Sequence, residues 1–379
     1  MNKKKVIILT HPLFSNYGGL MQAYALQKVV REWGFDVVTA RSSARKPSWK
    51  SVYTWLYLPL RQFWMKCTGQ WQEQQRQKQI RNQYTSSFID KHIRTVNFFQ
   101  GKSSPTKSMA NAFDIYIVGS DQVWRKQYMN LRTYFLGFLR NDSAILKIAY
   151  AASFGVDNLN DWTQDELKDC RRLIQQFCAI SVREEQGLDL CKRLLGREAT
   201  WVLDPTMLLQ REQYTELIPD SLKATESNVF CYFLDKDDRK TAIAACIGKQ
   251  LGVSVHHHLP DKFDRLRYGH HDGYSFPPVE NWLAGFRDAS FVVTDSFHGT
   301  VFSILFGKTF LCIANKERGT ARFTSLLKQF NLEQRIIRPD AEITPDMLKS
   351  IDYASVYEHL EQLRKQSITF LHDALQLSN

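Results

Sequence analysis

Apolar runs rich in Val, Ile and Phe alternate along the chain with segments of helical period. KVIILT (5–10) is apolar from Val6 to Leu9 and predicts a buried strand. GLMQAYALQKVVREWG (19–34) follows with helical spacing, and FDVVTA (35–40) predicts the next strand. Further strands are expected at 113–119, 147–153, 179–182 and 200–203. Between them TQDELKDCRRLIQQFC opens with Thr163 and Glu166 at the spacing of a capping box. A second series starts near residue 228, with strands at 228–234, 253–259, 290–295 and 309–313. Its helices are expected at about 237–251, 298–307, 320–330 and 352–376. Such alternation implies parallel sheets with helices on both faces. Two series predict an α/β protein of two Rossmann-like domains facing a cleft. The polar stretch 210–227 marks the boundary, giving domains 1–210 and 211–379. Segment 41–112 breaks the alternation and is expected to be an insertion on the first domain, with WQEQQRQKQIRNQY helical within it.

At 379 residues the chain exceeds one ordinary core, in keeping with two domains. Lys and Arg outnumber Asp and Glu by 50 to 39, a net charge of +11. The excess is concentrated between Arg41 and Arg81. There Arg41, Arg45, Lys46, Lys50, Arg61, Lys66, Arg76, Lys78 and Arg81 face a single acid, Glu73. Trp49, Tyr53, Trp55, Tyr57, Phe63, Trp64 and Trp71 are interleaved with them. Three readings stay open for 41–81: a solvated surface over buried aromatics, a patch for an anionic membrane surface, or a nucleic-acid surface. No recognisable nucleic-acid module is present, so nucleic acid is not expected as a partner.

The seven cysteines are odd in number and contain no C-x-x-C pair, which suits a reducing compartment without disulfides or zinc. His256, His257 and His258 with His270 and His271 lack a second set of ligands at fixed spacing. Solvated loops are the better expectation there, and no metal site is expected. DKDD (235–238) falls where a helix needs an N-cap. The opening MNKKKVIILTHPLF has too short an apolar run for a secretory leader, and no run of about 18 apolar residues would span a membrane. A cytoplasmic location is expected.

Ligands of open α/β sheets bind beyond the carboxyl ends of the strands, so polar residues there are the candidates. These are Asn16, Gly18, Gly19 and Gln22; Ser120 and Asp121; Arg183 and Glu184; Asp204; Asp295, Ser296, His298 and Gly299; and Lys316, Arg318 and Arg322. The pair Gly18-Gly19 either turns the chain tightly or lets backbone N–H groups approach a ligand at a helix start. Arg183 either clamps an anion or pairs with Glu184 or Glu185. His298 either binds phosphate and exchanges a proton or serves as a cap or core histidine. Asp204 and Asp295 fit a structural role, accepting neighbouring backbone N–H bonds.

Taken together, NYGGLMQAYALQ (16–27), DIYIVGSDQVW (114–124), ISVREEQG (180–187), VLDPTMLL (202–209), VTDSFHGTVFSILFGKTF (293–310) and NKERGTARF (315–323) resemble the polysaccharide pyruvyl transferases. Segment 41–112 lies outside the resemblance. It implies a fold similar to GT-B glycosyltransferases, phosphoenolpyruvate as donor co-substrate, and an acceptor sugar. The product implied is a pyruvate ketal across two hydroxyls of one residue, with phosphate released and no metal or redox cofactor required. By resemblance, His298 binds or protonates the donor, helped by the helix start at Ser296–Gly299. Arg183 is the donor clamp, with Arg318 and Arg322 as further donor contacts. Asn16, Gly18, Gly19, Gln22, Ser120 and Asp121 are assigned to the acceptor, and Asp295 and Asp121 compete as general base. The resemblance places the enzyme in bacterial surface polysaccharide biosynthesis, of exopolysaccharide or capsule, on a sugar or lipid-linked oligosaccharide. Segment 41–81 would hold it peripherally at the inner membrane face. The competing readings are a GT-B glycosyltransferase using a nucleotide sugar and a non-catalytic glycan- or lipid-binding protein.

Overall fold

The computed structural model describes residues 3–41, 70–102, 104–139, 144–224, 227–235, 237–259, 275–314 and 320–377. Most of the basic aromatic stretch (42–69) lies outside them, as do His270, His271, Lys316 and Arg318. Strands β1 (Lys5–Leu9), β2 (Asp36–Ala40), β3 (Thr95–Val96), β4 (Ile115–Gly119), β5 (Leu146–Ala152), β6 (Ala179–Val182) and β7 (Thr200–Trp201) form one parallel sheet, ordered 3-2-1-4-5-6-7. Strands β8 (Asn228–Tyr232), β9 (Ser254–His257), β10 (Phe291–Thr294), β11 (Thr309–Ile313) and β12 (Ile336–Ile337) form a second, ordered 12-11-10-8-9. Every pairing in both is parallel, as when Val6 lies between Val37 and Ile115. The strand order reverses between β1 and β4 in one sheet and between β8 and β10 in the other, and such reversals open a crevice at the strand ends. Two Rossmann-like halves therefore make up the chain, with β1–β7 before residue 210 and β8–β12 after it.

The principal helices are α1 (Tyr17–Glu32), α2 (Gln70–His92), α3 (Gln164–Ile174), α4 (Glu185–Asp189), α5 (Asp238–Leu251), α6 (Val279–Asp288), α7 (Phe297–Leu305), α8 (Ala321–Lys328) and α9 (Tyr353–Gln376). The capping box forms: Glu166 N–H donates to Thr163 Oγ1 at 3.2 Å, and Thr163 N–H donates to Glu166 Oε2 at 2.7 Å. Asp237 caps α5 by accepting from Arg239 N–H at 2.9 Å. Two expectations need correction. Segment 41–112 is not wholly an insertion, because Thr95–Val96 pairs with β2 as the sheet edge and α2 lies on the crossover between them. A two-residue strand is too short to carry a period that sequence could reveal. The histidines 256–258 are not a loop: His256 and His257 are exposed, as expected, but lie on β9, and His258 is buried against the Tyr17 ring at 5.1 Å. Burial pushes its imidazole down to about 3.

Alternation along the strands sorts the core into layers. Val6, Ile8, Ile115 and Ile117 face one way from the first sheet, while Ile7, Leu9, Tyr116 and Val118 face the other. In the second sheet Phe230, Tyr232 and Val292 oppose Val229, Cys231, Phe291 and Val293. The inward-facing sets of both sheets belong to one continuous core. Tyr17, at the start of α1, carries the first half into the second: its ring stacks on Trp282 at 5.7 Å and its hydroxyl donates to the Pro277 carbonyl at 2.8 Å. Helix α9 returns in the other direction. Its Phe370 ring lies 6.4 Å from that of Tyr150, Ser367 Oγ accepts from Leu203 N–H at 3.0 Å, and Arg364 Nε donates to the Met207 carbonyl at 2.8 Å.

The halves approach closely at Gly18, in the first turn of α1. A Cβ there would lie 2.1 Å from Cγ and Nδ1 of His298. Gly18→Ala should therefore cost about 1–3 kcal/mol of stability, the scale of overpacking. In a His298→Ala background the cost should fall below about 1 kcal/mol, because the clashing ring is gone. Equal costs in the two backgrounds, measured by denaturant titration, would show that the ring contact is not what requires glycine.

Candidate active site

The ends of β1, β4 and β6, the turn after β7, and the start of α7 meet around one carboxylate. Asp204 follows the apolar Val202-Leu203, and its side chain is wholly enclosed. Its Oδ1 accepts from Thr206 N–H at 3.0 Å and from Thr206 Oγ1 at 2.7 Å. Its Oδ2 accepts from Arg183 Nη1 at 2.7 Å and Ser120 Oγ at 3.0 Å, with His298 Nε2 at 3.7 Å. Burial alone would raise this carboxyl; His298, Arg183 and Thr206 outweigh burial and hold it well below the usual carboxylate range.

Arg183 is buried with its guanidinium over the Phe297 ring, 4.3 Å from the centroid. Burial disfavours its charge, but Asp204, Glu184 and Asp121 reverse that and raise its pKa. Its Nη2 stands 3.6 Å from Asp121 Oδ1 and its Nε 3.6 Å from Glu184 Oε1, both beyond hydrogen-bond length. Nε and Nη2 thus make no hydrogen bond among the described residues. Arg322, at the start of α8, is also buried, with its guanidinium 5.9 Å from the same Phe297 ring. Burial and the neighbouring Arg183 lower it to about 10, which leaves it charged at neutral pH. The positive ends of α1 and α7 add to this field.

Two carboxyls flank Arg183 and differ in character. Burial opposes ionisation of Asp121, but His11, Arg183, His298 and Arg322 outweigh it and hold the carboxyl at about 2. Burial pushes Glu184 upward against Arg183 and Ser153, the latter donating its hydroxyl to Glu184 Oε1. Asp121 has a left-handed backbone, φ +64°, which costs a non-glycine residue about 1–2 kcal/mol. Bonds from Val123 N–H and Ser153 N–H to its carbonyl hold that conformation. The preceding Gly119 has φ +131°, and a Cβ there would meet the Tyr150 carbonyl oxygen at 1.9 Å. That close crossing brings Ser120 to Asp204.

His298, Arg183, Arg322, Asp121 and Ser120 are thus gathered in one place, while several other expected site residues serve the scaffold. Asp295 is not free to act as base. Its carboxylate accepts from Lys240 Nζ and Leu234 N–H, both at 2.6 Å, and from Asp235 N–H at 3.2 Å. Ser296 Oγ caps α7 by accepting from Gly299 N–H at 3.3 Å, which occupies both residues. Gln22 is fully buried and donates to Thr10 Oγ1 at 2.8 Å and the Gly19 carbonyl at 2.9 Å. Its Oε1 has no hydrogen-bond partner among the described residues, and the enclosed Ser120 side chain donates to Asp204. Gly18 and Gly19 are buried in the first turn of α1 rather than in a tight turn, and Gly18 admits the His298 ring. Asn16 is exposed at the start of α1, and Arg318 lies outside the described residues. Sequence reasoning passed over His11, whose Nε2 lies 3.2 Å from the Gln122 carbonyl, and over Arg125 and Ser153. His11 and Ser153 do follow the ends of β1 and β5, a signal that was available. Among the described residues no group of three or more His, Cys, Asp or Glu is placed to hold a metal ion, and no helix is long and apolar enough to cross a membrane.

Among solved structures, the chain is similar to a UDP-GlcNAc 2-epimerase from Neisseria meningitidis bound to UDP-GlcNAc. The identity is 11%, over 99% of this chain and 100% of that one, with a TM-score of 0.49. It is also similar to the glycosyltransferase SnogD from Streptomyces nogalater, at 11% identity over 99% of this chain and 99% of that one, with a TM-score of 0.42. No curated protein sequence matches significantly. The family model for polysaccharide pyruvyl transferase matches residues 16–317, which take in β2–β11 and Ser120, Asp121, Arg183, Asp204 and His298 but not β1, His11 or Arg322, and the chain belongs to that family.

Proposed function

We propose that the protein transfers the pyruvyl group of phosphoenolpyruvate to two hydroxyls of one sugar residue, forming a ketal and releasing phosphate in surface polysaccharide synthesis. The observation that carries this reading is the buried guanidinium of Arg183, with Nε and Nη2 unspent, beside His298 and a second buried arginine. Buried N–H donors of a cation are costly unless an anion meets them. The donor carries a carboxylate and a phosphate, the two groups that an arginine fork matches.

The chemistry then assigns roles. His298 gives a proton to C3 of the donor, which makes C2 electrophilic. A sugar hydroxyl adds to C2 and loses its proton to Asp121, whose low pKa keeps it ionised. Breaking the C2–O bond releases phosphate, with its negative charge met by Arg183 and Arg322. Asp121 passes the first hydroxyl's proton to the departing phosphate, and the second hydroxyl of the same sugar residue then adds to C2, returns a proton to His298 and closes the ring. Asp121 is the base because Asp295 is held by Lys240 and two amides.

Calorimetry should show phosphoenolpyruvate binding to the protein, while UDP-sugars do not bind; the reverse pattern would reject this reading for a glycosyltransferase. Arg183→Lys keeps the charge and loses the fork, so donor affinity should fall about tenfold or more. His298→Ala should lower turnover at least about a hundredfold, the scale of a lost acid–base group, and near-normal turnover would reduce His298 to a packing role. Asp121 also has a signature in stability. Its folded pKa lies below its unfolded value of 3.8, so its contribution is complete above about pH 4 and is lost as the pH falls towards 2. The shift corresponds to about 2 kcal/mol. Asp121→Asn should flatten the stability curve between about pH 4 and pH 2 by that amount, and an unchanged acid limb would show that Asp121 is not charge-stabilised.

A further inference from the structure

We propose that Tyr128 is the platform on which the pyranose ring of the acceptor stacks; this rests on the pyruvyl transfer reading for the identity of the ligand as a sugar. Few large apolar side chains are left exposed among the described residues. They are Phe14, Tyr84, Tyr128, Leu251 and Leu377. Tyr128 is the one that follows Asp121 on the loop leaving β4, at the strand-order reversal where an α/β sheet opens its ligand crevice.

The loop is fixed from below. Val123 and Trp124 are fully buried, the Trp124 ring stacks on Phe135 at 4.9 Å, and Tyr128 N–H donates to the Arg125 carbonyl at 3.0 Å. The ring itself is held on two sides. The Arg125 guanidinium lies 4.5 Å from its centroid, and the His11 ring meets it edge-on at 6.0 Å. Tyr128 nevertheless keeps 45% of its surface in water. A ring immobilised in advance and left open loses little entropy when a ligand covers it.

Both of its holders connect to the reacting centre. His11 Nε2 lies 3.2 Å from the carbonyl of Gln122, the residue after Asp121. Gln122 joins them: its Oε1 accepts from Arg125 Nη1 at 2.7 Å, and its N–H donates to Asp121 Oδ1 at 2.9 Å. A sugar stacked on Tyr128 therefore borders the base. The C–H face of a pyranose carries partial positive charge and suits the negative face of a phenol ring, while its hydroxyls can reach the polar groups around the platform. This surface is open to solvent, whereas Gln22 and Ser120 are enclosed.

Saturation-transfer NMR on the full chain, with methyl glucopyranoside, galactopyranoside and mannopyranoside as probes, tests the platform without the donor. At least one probe should bind the wild type and Tyr128→Trp. Tyr128→Ala and Tyr128→Leu should each weaken that binding about tenfold, leucine because it keeps bulk without a π face. Leu251→Ala, an exposed apolar change on α5, should not affect it. Binding that survives in Tyr128→Ala, or no binding of any probe by the wild type, overturns the proposal. Phosphoenolpyruvate titrated into the same samples separates the two ideas. Tyr128-dependent sugar binding without donor binding would keep the platform and sink the donor reading, and the opposite result would do the reverse.

Discussion

The buried pair between Arg183 and Asp204 is the interaction on which the rest of the site depends. Asp204 receives bonds from the ends of β4 and β6 and from its own turn, and His298 of the second half stands 3.7 Å away. A carboxylate removed from water survives only when its lone pairs are met, and losing one partner of such a pair costs about 3–5 kcal/mol. The segments must therefore arrive together. The same bonds aim the Arg183 fork, since Nη1 is spent on Asp204 while Nε and Nη2 are left towards Glu184 and Asp121. The charge of Arg183 is maintained by the carboxylates that hold it.

The two halves are not independent modules bridged by a linker. Their inward-facing strand residues form one core, Tyr17 is buried among the aromatics of the second half, and α9 packs against the first. This explains why His298 can be presented accurately across a boundary. The ring rests on the bare backbone of Gly18, and the approach of α1 to α7 fixes how far it reaches. Polar residues at the boundary divide accordingly. Asp295 spends its carboxylate on Lys240 and two backbone amides and Ser296 Oγ caps α7, whereas Arg183 keeps two donors without a hydrogen bond among the described residues and Tyr128 is left exposed.

The chain's own pattern determined much of this. Continuous apolar runs placed β1, β2, β4, β5, β6, β8, β10 and β11 to within about two residues, because strands buried on both faces must be apolar throughout. The capping signals at Thr163 and Asp237 were equally local, since a cap needs only residues two or three positions away. The rule that ligands bind at strand ends singled out Asp121, Arg183, Asp204 and His298 before their neighbours were known. What sequence could not decide was what each polar group touches. Gly18 serves a ring 280 positions further along the chain, Asp295 is neutralised by Lys240 from α5, and β3 exists only because β2 offers it an edge. Those outcomes depend on contacts between residues far apart in the chain, and a local pattern carries no record of them; only the folded arrangement shows Asp295 bonded to Lys240 and two amides, and Asp121 set beside Arg183.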